Sequence, residues 1–546
     1  MNTRPFFAWL IGVPFSYFIV GFLGKSYSFD HEIIPPVIFL HSCLSIYLYH
    51  VLGRAKAQLH FNPIDFGMMI TLFGILSGFT LVIFKMAEDF PGLFSPVFKY
   101  LTANQLIMFV VALGISLPLS SWILSHISNG RFRHSIIVRL IDQNLAGLIL
   151  AGFLFSTYLI LVSIFNQPAF DVDDIFFDAD SNLWRWRFAT PDYRDYYWRS
   201  VHPFVLIIIR PLVALIAFFL KGDKLQATFV LVAFMGALCV FLVWYFVKHV
   251  VGNSLYALLI ASVFGASAAQ LVFSSLIETY IFLAATALVF LILLLKDKPL
   301  FLLVITGLVA FGITISNFGQ TVIAHLLIKR DIKRWVKYGL IVAVLVVPLT
   351  LLNNFVYPNS QPYFFDLSSY ESEGHNSFPP SVQRGVYLAR VMFLHSIVAP
   401  EPLILKEEIP FLKVWMFRAS IKKDPMRLAE YTNWFGTSVA MIWFSLMLVG
   451  GLLFLKNLRK QDYHFQFTLI LILLFNFVLH LRYGKDVFLY STNWTYAVIL
   501  FLALAWRELA NKRWFQISLL VFVALLLVNN SQLIYTMLSV SALHIK

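Results

Sequence analysis

Long apolar runs separated by short polar stretches dominate the chain. Runs at 6–24, 33–52, 66–86, 103–124 and 139–165 match the roughly 20 residues that an apolar helix needs to cross a bilayer. Others follow at 202–220, 226–247, 253–275, 277–295, 299–328, 336–355, 433–455, 464–482, 487–505 and 514–538. The alternating pattern of a membrane β-barrel is absent. Backbone polar groups in lipid must be satisfied within the segment, so the runs predict helices. Within 299–328, SNFGQ at 316–320 reads as an outer turn between two short helices. The expected fold is an all-α polytopic membrane protein, a bundle of about fourteen transmembrane helices with short interfacial helices in its outer loops.

Composition agrees. Apolar residues make up 60% of the 546 and mean hydropathy is +0.79, whereas soluble domains are about half apolar or less. The net charge of +13 is explained by Lys and Arg gathering in cytoplasmic loops, and no nucleic-acid partner is expected. Cys43 and Cys239 fall in apolar runs and imply no disulfide framework. The first run lacks an Ala-x-Ala-like cleavage site and reads as a retained span.

Basic residues orient the spans. Arg54 and Lys56, then Arg131, Arg133 and Arg139, mark two cytoplasmic loops, which puts the N-terminus inside. Lys329, Arg330, Lys333, Arg334 and Lys337 mark a third, and Lys456, Arg459, Lys460, Arg507, Lys512 and Arg513 mark the last turns. His480, Arg482, Lys485 and Asp486 then face outward. In the middle, clusters at Lys221/Lys224, Lys248/His249 and Lys296/Lys298 break the parity. Either a segment between 202 and 275 is re-entrant, or Lys248 and His249 face outward.

The chain divides into a four-helix N-terminal extension (1–138), a core (139–355) with an Asp-rich outer loop (166–201), a late outer loop (356–432) and C-terminal helices (433–546). The late loop is too long for a passive connector. Its stretch EEIPFLKVWMFRASIKKDPMRLAEY reads as an interfacial helix, and the loop as a candidate lid.

The chemistry concentrates in Phe170–Arg210, which carries seven Asp, five Arg and one His in a chain only 13% charged. Asp171, Asp173, Asp174, Asp178 and Asp180 follow a span directly, where an ionised carboxylate must find water, a cation or a partner. Arg185, Arg187, Arg194 and Arg199 follow among Trp and Tyr, and guanidinium forks suit phosphate. DVDDIFFDADSN lacks the central Gly and closing Glu of a calcium loop, so no cofactor is called for beyond a less formally bound divalent cation, Mg or Mn. His202–Pro203 opens the next run, Pro being favoured in a first helical turn.

FFDADSNLWRWRF, WRSVHPFVLIIIRPL, SSLIETYIF and YGKDVFLYSTNW together resemble segments of the GT-C superfamily of integral-membrane glycosyltransferases, such as protein O-mannosyltransferases and aminoarabinose transferases. Asp-Ala-Asp stands where that family's first loop usually has Asp-Glu. The resemblance covers about 140–505 and implies a polyprenyl-phosphate-linked sugar donor. It implies transfer with inversion to a hydroxyl of a glycan, lipid or protein acceptor, outside a bacterial inner (plasma) membrane. Such a transfer needs a base for the acceptor proton and cations for the departing phosphate. Asp180 is the expected base, with Asp178 in reserve. Arg185, Arg199 and His202 are expected on the phosphate, with Arg482 and Lys485. Glu278 is expected to contact sugar or acceptor, as could Asn317 and Gln320, and Tyr490, Ser491 and Trp494 to line the donor pocket. The alternatives are an O-antigen ligase or polymerase using Arg384, Arg390, His375 and His395 of the late loop, or a lipid-linked-sugar transporter or flippase, which would need charges in mid-span.

Overall fold

The computed structural model describes residues 4–23, 29–86, 88–94, 101–128, 136–170, 173–407, 411–419, 426–458 and 463–544. Asp171, Arg131, Arg133, Arg459 and Lys460 lie outside them. Nearly everything described is helical, and nine of the described helices are long and apolar enough to cross a membrane. The protein is an all-α multi-pass membrane protein.

The chain forms two compact units. The first, Met1–Gly78 with Ala87–Ile149, holds α1 (Arg4–Leu23), α2 (Ile34–Phe61), most of α3 (Pro63–Met86), α4 (Pro91–Phe94), α5 (Ala103–Ser128) and the start of α6 (Ile136–Phe165). Its core is Val20, Ile33, Val37, Phe109, Ala112 and Leu113. Pairs of polar groups are buried within it: Ser16 Oγ lies 2.8 Å from His41 Nδ1, and Trp9 Nε1 donates to Ser116 Oγ at 3.1 Å.

The second unit is Phe79–Met86 with Leu150–Lys546. After α6 come α7 (Ser181–Ala189), α8 (Val205–Phe219), α9 (Lys224–Val251), α10 (Ser254–Ala266), α11 (Ala268–Phe273), α12 (Tyr280–Leu295), α13 (Leu300–Ile313), α14 (Phe318–Lys329) and α15 (Ile332–Val356). The late loop holds α16 (Val382–Arg390), β1 (Leu403–Glu407), β2 (Phe411–Trp415), β3 (Phe417–Arg418) and β4 (Arg427–Leu428). Then follow α17 (Trp434–Asn457), α18 (His464–His480), α19 (Thr492–Ala505) and α20 (Arg513–His544).

Several apolar runs are broken, and the breaks have local causes. A turn at Ile315–Asn317 separates α13 from α14, as SNFGQ suggested. Ser267 separates α10 from α11 by capping the second helix through Gln270 N. The freed Ala268 and Ala269 N–H groups donate to Ile397 O at 3.0 Å and Ser396 O at 2.9 Å. Where α11 meets α9, Gly236 is required, because a Cβ there would run into Ser274.

Side-chain contacts sort the helix ends onto two faces. On one, Lys329 pairs with Asp297 at 2.6 Å, Lys296 lies over the Tyr245 ring at 5.4 Å, and Asn253 donates to Asn511 at 2.7 Å. Lys456 lies 3.4 Å from Glu508 on this same face. The ends of α9, α12, α14, α17 and α19 meet there. On the other face, Asn166 donates to Ser275 O at 2.9 Å, His202 meets Ile313 O at 2.6 Å, and His544 meets Leu412 O at 3.0 Å.

One open reading is resolved and one expectation is corrected. Of the two readings offered for 202–275, the helix contacts favour the segment that does not cross, and it is the run 202–220. α9 has 28 residues, about 42 Å at the usual rise per residue. It ends on the basic face, so its start lies on the opposite one, against α7. α8 begins on that same face, where Phe204 N donates to Gly312 O at 3.1 Å, and a short turn joins its end to α9. Both ends of α8, with Lys221 and Lys224, therefore lie on one face, and this non-crossing segment restores the parity. α8 buries Val205, Leu206, Ile209, Val213 and Ala217 and exposes Leu212, Leu215, Phe218 and Phe219.

The correction concerns 407–431, of which 408–410 and 420–425 lie outside the described residues and the rest forms strands and extended chain, not an interfacial helix. β1 and β2 form an antiparallel hairpin with Leu403 opposite Trp415 and Glu407 opposite Phe411, and β3 pairs with β4. Its β-branched and aromatic residues favour strands. The late loop's amphipathic helix is α16, which buries Arg384 and Leu388 and exposes Val382 and Val386.

Candidate active site

The acidic loop is shaped by its pairing with the late loop. Phe176 bridges Val414, with Phe177 N donating to Val414 O at 2.7 Å and Val414 N to Ile175 O at 2.8 Å. Asp174, Phe177 and Asp178 all adopt left-handed backbone (φ 62°, 57° and 62°). Non-glycine residues persist there only when the surroundings over-determine them. Here the buried Phe177 ring packs 5.0 Å from Phe488, and Asp174 N donates to Ala179 O at 3.1 Å.

Asp180 immediately precedes α7 but its side chain does not cap that helix. Asp173 does so instead, accepting from Leu183 N at 3.0 Å. The Asp180 carboxylate is thereby left to meet Arg199 Nη1 at 2.7 Å. Arg199 is in turn placed by Asp195, 3.7 Å from its Nε, and Asp195 is fully buried against Arg187 at 3.4 Å. Behind Asp180, Glu278 accepts from Asp180 N at 2.7 Å and from Thr279 N at 2.9 Å.

These groups border a cavity of about 610 Å³ on the face opposite the basic helix ends. Asp174, Asp178, Asp180, Arg199 and His202 form part of its wall, with Tyr280 and Thr314 beyond them. Tyr370, Glu373, His375 and Asn376 come from the late loop, and His480, Tyr483, Lys485, Tyr490 and Asn493 from between α18 and α19.

Burial sets the protonation chemistry. It raises the Asp180 carboxyl, with Arg199 opposing. It raises Asp178 well above the ordinary range, helped by Asp174 and opposed by Lys485. Glu278 is raised by burial and then by Asp180, and Asp173 is pushed up to about 7 for the same two reasons. His202 is lowered by burial and by Arg199. Its Nδ1 faces a carbonyl oxygen, which only accepts, so the neutral ring carries its proton on Nδ1 and offers Nε2 as an acceptor.

Of the residues expected at a site, Asp178, Asp180, Arg199, His202, Lys485 and Tyr490 come together on this wall. Arg185 does not. It is buried and donates to Gln167 O at 2.6 Å, Phe170 O at 3.2 Å and Asn182, fastening α7 to the end of α6. Glu278 lies behind Asp180, and the Arg482 side chain is exposed away from the cavity. Ser491 and Trp494 do not reach the wall, although Asn493 between them does. Asn317 and Gln320 bond each other at 2.7 Å. Tyr280, Thr314, Tyr370, Glu373, Asn376, Tyr483 and Asn493 are among the wall residues sequence reasoning missed, and it placed His480 on this face without a role. The available signal was position, since all lie at helix ends or loops on the acidic loop's face.

The acidic wall does not suit a metal ion. Its carboxylates already have side-chain cations: Lys413 at 3.5 Å from Asp174, Lys485 at 3.9 Å from Asp178 and Arg199 at 2.7 Å from Asp180. Among the described residues no three His, Cys, Asp or Glu side chains are grouped to hold one. No protein-family model, curated protein sequence or solved structure matches the chain.

Proposed function

We propose that the protein is a GT-C-type membrane glycosyltransferase that moves a sugar from a polyprenyl phosphate to an acceptor hydroxyl. The observation that carries this reading is the Asp180–Arg199 pair, 2.7 Å apart, on the wall of a large cavity at the end of an apolar helical bundle. A carboxylate with a raised proton affinity is a base suited to near-neutral pH. Beside it, Arg199 Nη2 is buried without a hydrogen-bond partner, which favours an arriving phosphate. The acceptor oxygen attacks the anomeric carbon as the bond to the lipid phosphate breaks. The acceptor proton passes to Asp180, and the departing phosphate rests on Arg199 and Lys485. Attack opposite the leaving group inverts the centre. Asp178 borders the same space as the reserve base, and Glu278 holds Asp180 in place.

On this reading the basic face is cytoplasmic by the positive-inside rule. The cavity then opens outside a bacterial inner membrane, in a bundle of about fourteen spans whose ends alternate between the faces. The late loop, which supplies Tyr370, Glu373, His375 and Asn376 to the wall, serves as a lid. Of the residues named for the ligase alternative, His375 borders the cavity, whereas Arg384 and His395 do not. Arg384 donates to the carbonyls of Leu481 (3.0 Å), His480 (3.0 Å), Tyr483 (3.1 Å) and Gly484 (2.8 Å). His395 is buried beside Tyr431, off the cavity wall.

The test is sugar transfer by lipid-reconstituted protein supplied with polyprenyl-phosphate sugars and a panel of acceptors. Asp180→Asn should lower turnover by about 10²–10⁴ while donor binding persists. Wild-type protein that consumes no donor but carries a labelled lipid across the bilayer would make it a transporter.

A further inference from the structure

Three side chains that line the cavity from elements outside the acidic loop carry buried polar atoms with no hydrogen-bond partner: Glu373 Oε1, His480 Nε2 and Asn493 Oδ1. Each residue is more than nine-tenths buried, and all three border the 610 Å³ cavity. An orphaned polar atom in such a place costs free energy unless a ligand completes it. They come from three separate elements: the turn Leu367–Asn376, the end of α18 and the start of α19.

Their chemistry is of one kind. The other Glu373 oxygen accepts the Tyr483 hydroxyl at 2.5 Å, and a carboxylate oxygen can only accept. His480 Nδ1 lies 3.3 Å from Tyr483 O. That carbonyl requires the proton on Nδ1, which leaves Nε2 as an acceptor, and stacking on Tyr490 at 4.3 Å fixes the ring. Asn493 presents its amide oxygen. The ligand portion that completes this wall must therefore bring several donors. A phosphate brings oxygen acceptors, whereas a sugar ring brings hydroxyls.

Resting on the transferase reading, we infer that the cavity is divided. Arg199 and Lys485 take the lipid phosphate, while Glu373, His480 and Asn493 read the hydroxyl groups of the donor's sugar and select a donor with free hydroxyls. Tyr483 positions Glu373, and the His480–Tyr490 stack gives the wall an apolar floor.

The experiment compares binding of two probes to full-length protein in lipid nanodiscs: a polyprenyl phosphate bearing a hexose and the same polyprenyl phosphate without sugar. Glu373→Gln and Asn493→Ala should each weaken binding of the hexose-bearing lipid by about tenfold to a hundredfold, the range for one buried hydrogen bond to a charged or well-placed group. Binding of the sugar-free lipid should stay within about twofold of wild type, which also reports that each variant is folded. Equal weakening of both probes, or of neither, overturns the sugar wall and leaves the transferase reading standing. A wild-type protein that binds neither probe overturns both.

Discussion

Asp180 is held between two opposing influences. Burial pushes its carboxyl upward, and Arg199 at 2.7 Å is the largest influence pulling it back. A base works in its ionised form, so kcat/KM should rise with pH through the Asp180 pKa, with its acidic limb above the ordinary carboxylate value of about 3.9. Removing the guanidinium removes the main lowering influence, so Arg199→Gln should move that limb to higher pH, whereas Arg199→Lys, which keeps the charge, should move it less. A pH–rate profile of each variant decides the matter, and a limb that stays in place in Arg199→Gln removes Asp180 as the base. At this scale the sequence was readable where charge density was abnormal. Asp178, Asp180 and Arg199 stand in an acidic and basic cluster beside a span, which lipid does not tolerate without a reason. Arg185 belongs to the same cluster, yet its direction was not readable. Its guanidinium is taken by the carbonyls of Gln167 and Phe170, and nothing in the spacing separates a phosphate ligand from a buried brace. Glu373 lay among ordinary loop residues, and only the fold brings it to the wall.

The elements that hold the wall meet at Asp486. Its carboxylate accepts from Met416 N at 2.8 Å, Phe417 N at 3.2 Å and Phe488 N at 2.9 Å. It thus joins the strands of the late loop to the turn Val487–Tyr490, against which Phe177 of the acidic loop packs. Asp486→Ala would leave three buried donors without an acceptor, a cost on the order of 3 kcal/mol or more. A lower thermal midpoint and faster amide exchange at Met416 and Phe417 are expected, and an unchanged midpoint would show that the late loop is held by other means. The helices were legible because an apolar run of spanning length has few other solutions. The strands were not. LILKE and FLKVW are too short for a period to declare itself, and their mixture of aromatics with Lys suits a helix on headgroups as well as a hairpin. What decides is the partner, since Val414 completes the backbone of Ile175 and Phe177.

The same limit governs the molecule as a whole, where α8 settles the topology. Its apolar residues, VLIIIRPLVALIAFF, read as a span, and nothing local marks them otherwise. Their fate follows from what is joined to each end: His202 to Ile313 at one and the start of the long α9 at the other. If α8 lies along one face, Lys221 belongs with the exposed Arg194 of the acidic loop, and Lys248 belongs with Lys296 on the opposite face. Single cysteines at these positions, in a background with Cys43 and Cys239 replaced by alanine, should divide accordingly under a membrane-impermeant maleimide added to one side of sealed vesicles. Lys221→Cys and Arg194→Cys should label together, and Lys248→Cys only when the reagent reaches the other side. Labelling of Arg194→Cys and Lys221→Cys from opposite sides would mean that α8 crosses, and the parity of every later helix would reverse relative to the acidic loop. His480 and Asn493 would then lie across the bilayer from Asp180. The cavity therefore requires α8 to remain on one face, and the labelling pattern tests the site as directly as it tests the fold.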